Sequence, residues 1–101
     1  MDSFTPSCTS KAGLEGFTRA LAKEVAPFNI TVNGIAPGII HTALLRRMNP
    51  PERLEQLRQT VPLQRIGAAE EIARVVSFVA SDDAGYITGE IIAVNGGMRM
   101  D

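Results

Sequence analysis

The sequence predicts an α/β fold built on parallel strands. Two short apolar runs, Ile30–Ile35 and Glu90–Val94, read as strands. The stretch between them carries helical patterning, so the chain leaves the sheet and returns, as parallel pairing requires. Each run also ends at a breaker, Pro37-Gly38 after the first and Asn95-Gly96-Gly97 after the second. Two parallel strands do not complete a doubly wound sheet, so further strands are expected on the N-terminal side.

Met1–Thr9 is polar with one proline and reads as coil, with Ser10 as the N-cap of a helix running to about Val25. Leu14, Phe17 or Thr18, Leu21 and Val25 recur at helical spacing. Gly13, Gly16 and Ala20 form a second face of small residues. Each interior glycine costs up to about 1 kcal/mol relative to alanine. Two of them suggest that another backbone comes close, and the alternative is glycine merely tolerated at the surface.

Pro27 stops this helix. After the strand at Ile30–Ile35, Ile39–Met48 reads as loop or short helix. Pro50-Pro51 opens a helix over Glu52–Thr60, which Pro62 ends. The clearest helix is Ala68–Ala80, where Ile72, Val75, Val76 and Val79 share a face. Glu70 and Glu71 in its first turn suit the helix dipole. Asp82–Gly85 is a turn, Ile87 begins an extended stretch, and Glu90–Val94 is the last strand.

The bulk composition excludes several classes. The net charge is −1, with Lys and Arg scattered and no Trp, which argues against nucleic acid and against an anionic membrane surface. No apolar run approaches the roughly 20 residues of a membrane span. No secretory signal pattern stands at the N-terminus. A single cysteine, Cys8, allows no internal disulfide and no CxxC metal motif, so a reduced, cytoplasmic setting is expected.

Four segments, taken together, resemble the short-chain dehydrogenase/reductase family. Ser10-Lys11-Ala12-Gly13 with Leu14-Glu15-Gly16 resembles the start of its catalytic-lysine helix. Asn33–Gly38 with Thr42 resembles its nicotinamide-side loop. Pro62–Gly67 with Glu70–Ala73 resembles the opening of its substrate-side helix. Ile87–Glu90 through Val94–Gly97 resembles its last strand. The likeness covers residues 10–101, leaving 1–9 as an unmatched coil. The Val94–Met98 ending is most similar to the 3-oxoacyl-acyl-carrier-protein reductase branch. The fold this implies is the C-terminal portion of a Rossmann-like doubly wound sheet.

The resemblance implies an NAD- or NADP-dependent oxidoreductase acting on a 3-oxoacyl thioester or another carbonyl or alcohol. Lys11 takes the place of the lysine that holds the cofactor ribose and lowers the pKa of a tyrosine four residues earlier. That tyrosine position is Ser7 here. A serine hydroxyl is much less acidic than a phenol and too short to replace one. Loss of a positioned acid–base group costs about 10²–10⁴ in rate. Pro37, Gly38, Ile40 and Thr42 are the implied cofactor contacts, with the Ile40 backbone on the carboxamide and the Thr42 hydroxyl on a phosphate or the amide. The plain reading of the same loop is a strand-to-helix turn.

The family's glycine-rich diphosphate turn and its catalytic serine and asparagine have no counterpart in these residues, so the chain is expected to be inactive, with dinucleotide binding in doubt. His41, the one histidine, has no nucleophile and acid beside it in the sequence, and a free thiol without chemistry is the expectation for Cys8. Arg46 and Arg47 suit an acidic carrier protein or simply a solvated helix face. Ala26–Asn29 lacks the arginine common in carrier-protein reductases, which weakens that assignment. The 10–25 helix and the last strand are the surfaces expected to pair with a second copy or a homologue. The alternative to an enzyme is therefore an interaction module, or a fragment without function.

Overall fold

A computed structural model describes residues 4–98. The observed order is α1 (Phe4–Val25), a 3₁₀ turn (Ala26–Phe28), β1 (Gly34–Pro37), α2 (Ala43–Met48), α3 (Pro51–Thr60), α4 (Ala69–Val79), a second 3₁₀ turn (Asp82–Ala84) and β2 (Ile91–Val94). β1 and β2 pair in parallel, with Gly34 opposite Ile91 and Pro37 opposite Val94. The α/β class and the parallel crossover predicted from the sequence are therefore present.

α1 departs from expectation at its start. The coil foreseen over Met1–Thr9 is helical from Phe4 onward, and Ser10 lies inside the helix rather than capping it; residues 1–3 lie outside the described residues. Pro6 falls in the first turn, where the backbone N–H has no intrahelical partner to lose, so it does not break the helix. Thr, Ser and Cys are only modestly poor helix formers, by tenths of a kcal/mol. Once Ala12–Val25 propagates a helix, extending it back costs little.

The buried line of α1 also differs from the apolar one. Among its described side chains, Thr18 and Ala22, one turn apart, are buried, whereas Phe17 is 66% exposed. Ala22 packs against Gly89 just before β2, with its Cβ 3.6 Å from where a side chain there would begin. Thr18 faces Gly34 of β1. Small side chains let the helix approach the sheet closely, and the larger Leu14 and Phe17 are left on the outer side. Gly13 and Gly16 face open space, with nothing within 4 Å of an added Cβ.

β1 starts later than its apolar run because a side chain takes over the ladder. Asn33 donates its Nδ2 to the Ile87 carbonyl at 3.0 Å and accepts the Glu90 N–H on Oδ1 at 3.1 Å. Val32 donates its N–H to the Thr88 hydroxyl at 3.0 Å and accepts from Gly89 at 2.7 Å. Regular backbone pairing starts only at Gly34, whose N–H donates to the Glu90 carbonyl. For the same reason the extended stretch expected from Ile87 becomes strand only at Ile91.

The core is thin. Among the described residues the buried apolar side chains are Ala22, Val61, Ile66 and Ala84. The Cα radius of gyration is 15.8 Å, against about 13 Å for a compact chain of about 100 residues. Most strand residues are half-buried, although parallel strands normally lie covered on both faces. No helix among the described residues is long and apolar enough to cross a membrane.

Candidate functional site

The C-terminal ends of the two strands meet at a cleft, which is where open parallel sheets hold ligands. Gly38 follows β1 and donates its N–H to the Val94 carbonyl at 3.0 Å. A Cβ on Gly38 would stand 2.8 Å from the Asn95 Cα, so only glycine lets the two chain ends pass. Asn95 then turns β2 away, accepting the Gly97 N–H on its Oδ1. Gly96 and Gly97 adopt positive φ, 63° and 93°, a region glycine enters without a Cβ penalty.

A second wall comes from the segment between α3 and α4. Leu63 donates its N–H to the Gly96 carbonyl, and buried Val61 occupies the space where a Cβ on Gly96 would sit, 2.7 Å away. Gln64 holds a positive φ of 61°. Its carbonyl accepts from Arg58 Nη1 at 2.8 Å, and Arg58 is itself paired with Glu55. Gly67 then pairs with the loop after β1: its N–H donates to Ile39 and its carbonyl accepts from His41, at 3.0 and 2.8 Å. Ile40 sits between those two bonds. The alternation of a β-bridge turns its own N–H and C=O away from Gly67. Among the described residues neither group is hydrogen-bonded.

These segments enclose a cavity of about 320 Å³, with Ile39, Ile40, Val61, Leu63 and the Ala93–Gly97 strand end as walls. Arg65 and Glu71 lie at its edge. Their side chains form a two-pronged ion pair, Nη1 to Oε1 at 2.7 Å and Nη2 to Oε2 at 2.8 Å. Glu71 Oε1 also accepts the Ala68 N–H at 2.9 Å. The Arg65 pairing first, and then the Ala68 N–H, hold the Glu71 carboxyl down at about 2. Ala68 has no side-chain acceptor, so of a reciprocal cap at α4 only the glutamate half is made.

The expected cofactor contacts share one loop, and the structure gives each a place. Ile40 lines the cavity; Pro37 closes β1, and Gly38 makes the close approach to Asn95. Thr42 caps α2, its hydroxyl oxygen accepting the Leu45 N–H at 3.0 Å. A hydroxyl that accepts in this way still has its proton to donate. Lys11 is separate: it is exposed on α1 and makes no hydrogen bond or ion pair among the described residues. The continuous helix places Ser7 one turn before Lys11, on the same face. His41 is exposed and contributes its backbone N–H to the Gly67 bond. Cys8 lies within the helical part of α1 rather than in coil. Arg46 and Arg47 occupy the exposed last turn of α2. Among the described residues no cluster of His, Cys, Asp and Glu could hold a metal ion.

The sequence reading placed Arg65, Gly67, Glu71 and Gly96 inside family-like segments but gave none of them a role in this site. The six-residue spacing of Arg65 and Glu71 across a helix start was the signal available. Opposite charges flanking Gly67 just before the first turn of α4 are placed to close a turn.

Comparison with known proteins agrees with this architecture. A profile of the family described as enoyl-(acyl carrier protein) reductase matches residues 1–99. The chain belongs to the short-chain dehydrogenase/reductase family. It is 55% identical over 96 residues to the 3-oxoacyl-[acyl-carrier-protein] reductase FabG of Pseudomonas aeruginosa, covering 95% of this chain and 38% of that protein. It is 54% identical over 91 residues to the enzyme of the same name from Escherichia coli, covering 90% and 37%. Nodulation protein G of Rhizobium meliloti is 46% identical over 96 residues, covering 95% and 39%. The chain thus spans less than two fifths of the length of these curated relatives.

Proposed function

We propose that these residues form the nicotinamide-side wall of an NAD- or NADP-dependent short-chain oxidoreductase of the 3-oxoacyl-thioester reductase type. The observation that carries this reading is Ile40. It stands at the C-terminal ends of parallel strands, lines the cavity, and holds a backbone donor and acceptor uncommitted among the described residues. A carboxamide needs both, since its oxygen accepts and its NH₂ donates. The residues present therefore fit that part of the cofactor. A bound dihydronicotinamide supplies the hydride for a carbonyl carbon. In this reading Ile40 orients the ring through its amide, and Thr42 offers its hydroxyl proton to a phosphate oxygen or the amide. Pro37-Gly38 seats the loop against Asn95, and Lys11 binds the ribose.

The other wall is not met by these residues. They contain no glycine-rich turn for the diphosphate, and Ser7 occupies the proton donor's position. The 101 residues by themselves are therefore inactive in this reading. Purified chain with NADPH and a 3-oxoacyl thioester is expected to show no turnover above background, and measurable turnover overturns the inactivity. The wall itself is tested by a chimera in which residues 11–101 replace the matching segment of the Pseudomonas aeruginosa reductase. The chimera is expected to oxidise NADPH with the thioester. A folded but inactive chimera overturns the assignment of the loop.

An interaction role is the second reading, and α1 favours it. Gly13 and Gly16 face open space beside Phe17, and a small-residue face of this kind admits a second helix closely. We infer self-association, or pairing with a full-length homologue, through residues 10–25 and the last strand. Light scattering after size exclusion is expected to give a mass above the monomer's. A stable monomer at working concentration counts against it.

A further inference from the structure

Glu71 does more than cap a helix. A capping carboxylate needs one bond, here the one from the Ala68 N–H at 2.9 Å. Glu71 also binds Arg65, three residues before the cap, through both oxygens. Such a paired fork fixes the guanidinium plane as well as the distance. Arg65 and Ala68 are thereby tied to one carboxylate, and Gly67 lies between them.

Gly67 is the link to the loop. Its two backbone bonds, to Ile39 and from His41, bracket Ile40. A Cβ at Gly67 would stand 2.8 Å from Ile40 Cδ1 and 3.8 Å from Glu71 Oε1. The Ile40 side chain thus lies where a larger residue would be, with the glutamate beside it. Moving the Arg65–Ala68 turn would move both bonds that hold Ile40.

We propose that Glu71 is a positioning residue for the Ile39–Thr42 loop, acting through Arg65 and the Gly67 backbone. The inference rests on the reading of that loop as the nicotinamide-side wall. Glu71 touches no reacting atom; it sets where the Ile40 amide and carbonyl stand.

Amide hydrogen exchange of the 101-residue chain tests this, because it separates a local effect from a global one. In Glu71→Ala the His41 and Gly67 amides are expected to exchange several-fold faster, as follows from losing a solvent-facing ion pair together with the Ala68 bond. The Gly34 and Gly38 amides in the strand pairing are expected to stay within about twofold. Glu71→Gln keeps an oxygen for the Ala68 N–H but loses the ion pair. It should restore the first turn of α4 and leave His41 and Gly67 fast. Unchanged exchange at His41 and Gly67 in Glu71→Ala overturns the proposal. So does equal acceleration across the strands, or full recovery of both amides in Glu71→Gln. The chimera decides the loop's identity separately: a folded, inactive chimera removes the nicotinamide reading whatever the exchange shows.

Discussion

The two ends of the strand pair are closed by opposite means. At the N-terminal end side chains do the closing, with Asn33 and Thr88 supplying bonds the backbone does not make. At the C-terminal end side chains are withheld at the points where chain segments cross, while Asn95 and the Arg65–Glu71 pair brace the turns around them. Gly38, Gly67 and Gly96 each sit where a Cβ would lie under 3 Å from a neighbour, and backbone meets backbone or a facing side chain instead. The first end is sealed, and the second leaves the backbone groups of Ile40 uncommitted among the described residues. A sutured end needs polar side chains that can reach. A binding end needs residues that stay out of the way.

The largest effect is expected where nothing can yield. Gly38→Ala drives a methyl to 2.8 Å from the Asn95 Cα, which is backbone and cannot rotate aside. Overpacking of this kind costs about 2–3 kcal/mol. Urea unfolding followed by circular dichroism is the check, and a loss below about 0.5 kcal/mol would show that the strand ends part easily. In the chimera the same substitution should also depress NADPH oxidation.

Asn33→Ala is expected to be milder and different in kind. It removes two bonds, leaving the Ile87 carbonyl and Glu90 N–H to partly exposed surroundings. The cost is about 1–2 kcal/mol. Urea melts of the chain should show this loss, while the chimera keeps its KM for NADPH. An altered KM would mean that the two ends are not independent.

The sequence disclosed the C-terminal end unevenly. Pro37-Gly38 and Asn95–Gly97 were legible as breaks because proline and glycine act locally. The α4 helix was legible to within one residue at each end, because its apolar period is strong. The start of α1 was not, since Pro6 reads as a breaker anywhere except in a first turn, and sequence does not say where the turn begins. The Asn33 suture was hidden for a related reason. Its partners lie more than fifty residues away, and an asparagine inside an apolar strand run does not announce them. Gly67 and Gly96 were legible as glycines but not as contacts, because what excludes a side chain there belongs to another segment.

Thr42 distinguishes a cap from a ligand group. Thr42→Ala removes the bond from the Leu45 N–H and should cost about 1 kcal/mol. Thr42→Ser restores the oxygen and should recover most of that stability in a thermal melt. In the chimera, Ala should raise the KM for NADPH and Ser should not. If neither variant changes KM, Thr42 serves only the helix.

The smallest effect separates the two ends by pH. The bonds of the N-terminal suture involve amide, hydroxyl and backbone groups, none of which ionises. The C-terminal end depends on Glu71, whose carboxyl is lowered from 4.5 to about 2 by Arg65 first, then by the Ala68 N–H and the nearby Arg74 charge. A depressed carboxyl contributes stability in full above its unfolded value. That contribution erodes as pH falls below about 4.5 and is gone once pH passes below about 2. The His41 and Gly67 amides should therefore lose protection between those limits, while Val32 and Gly89 keep theirs until the chain unfolds. Because the pair faces solvent, the change in overall stability should be slight. Glu55, also lowered by its Arg58 contact, adds acid sensitivity at Gln64. Glu71→Gln isolates the Glu71 part: the acid-linked loss at His41 should vanish in that variant, and its persistence would assign the effect to Glu55.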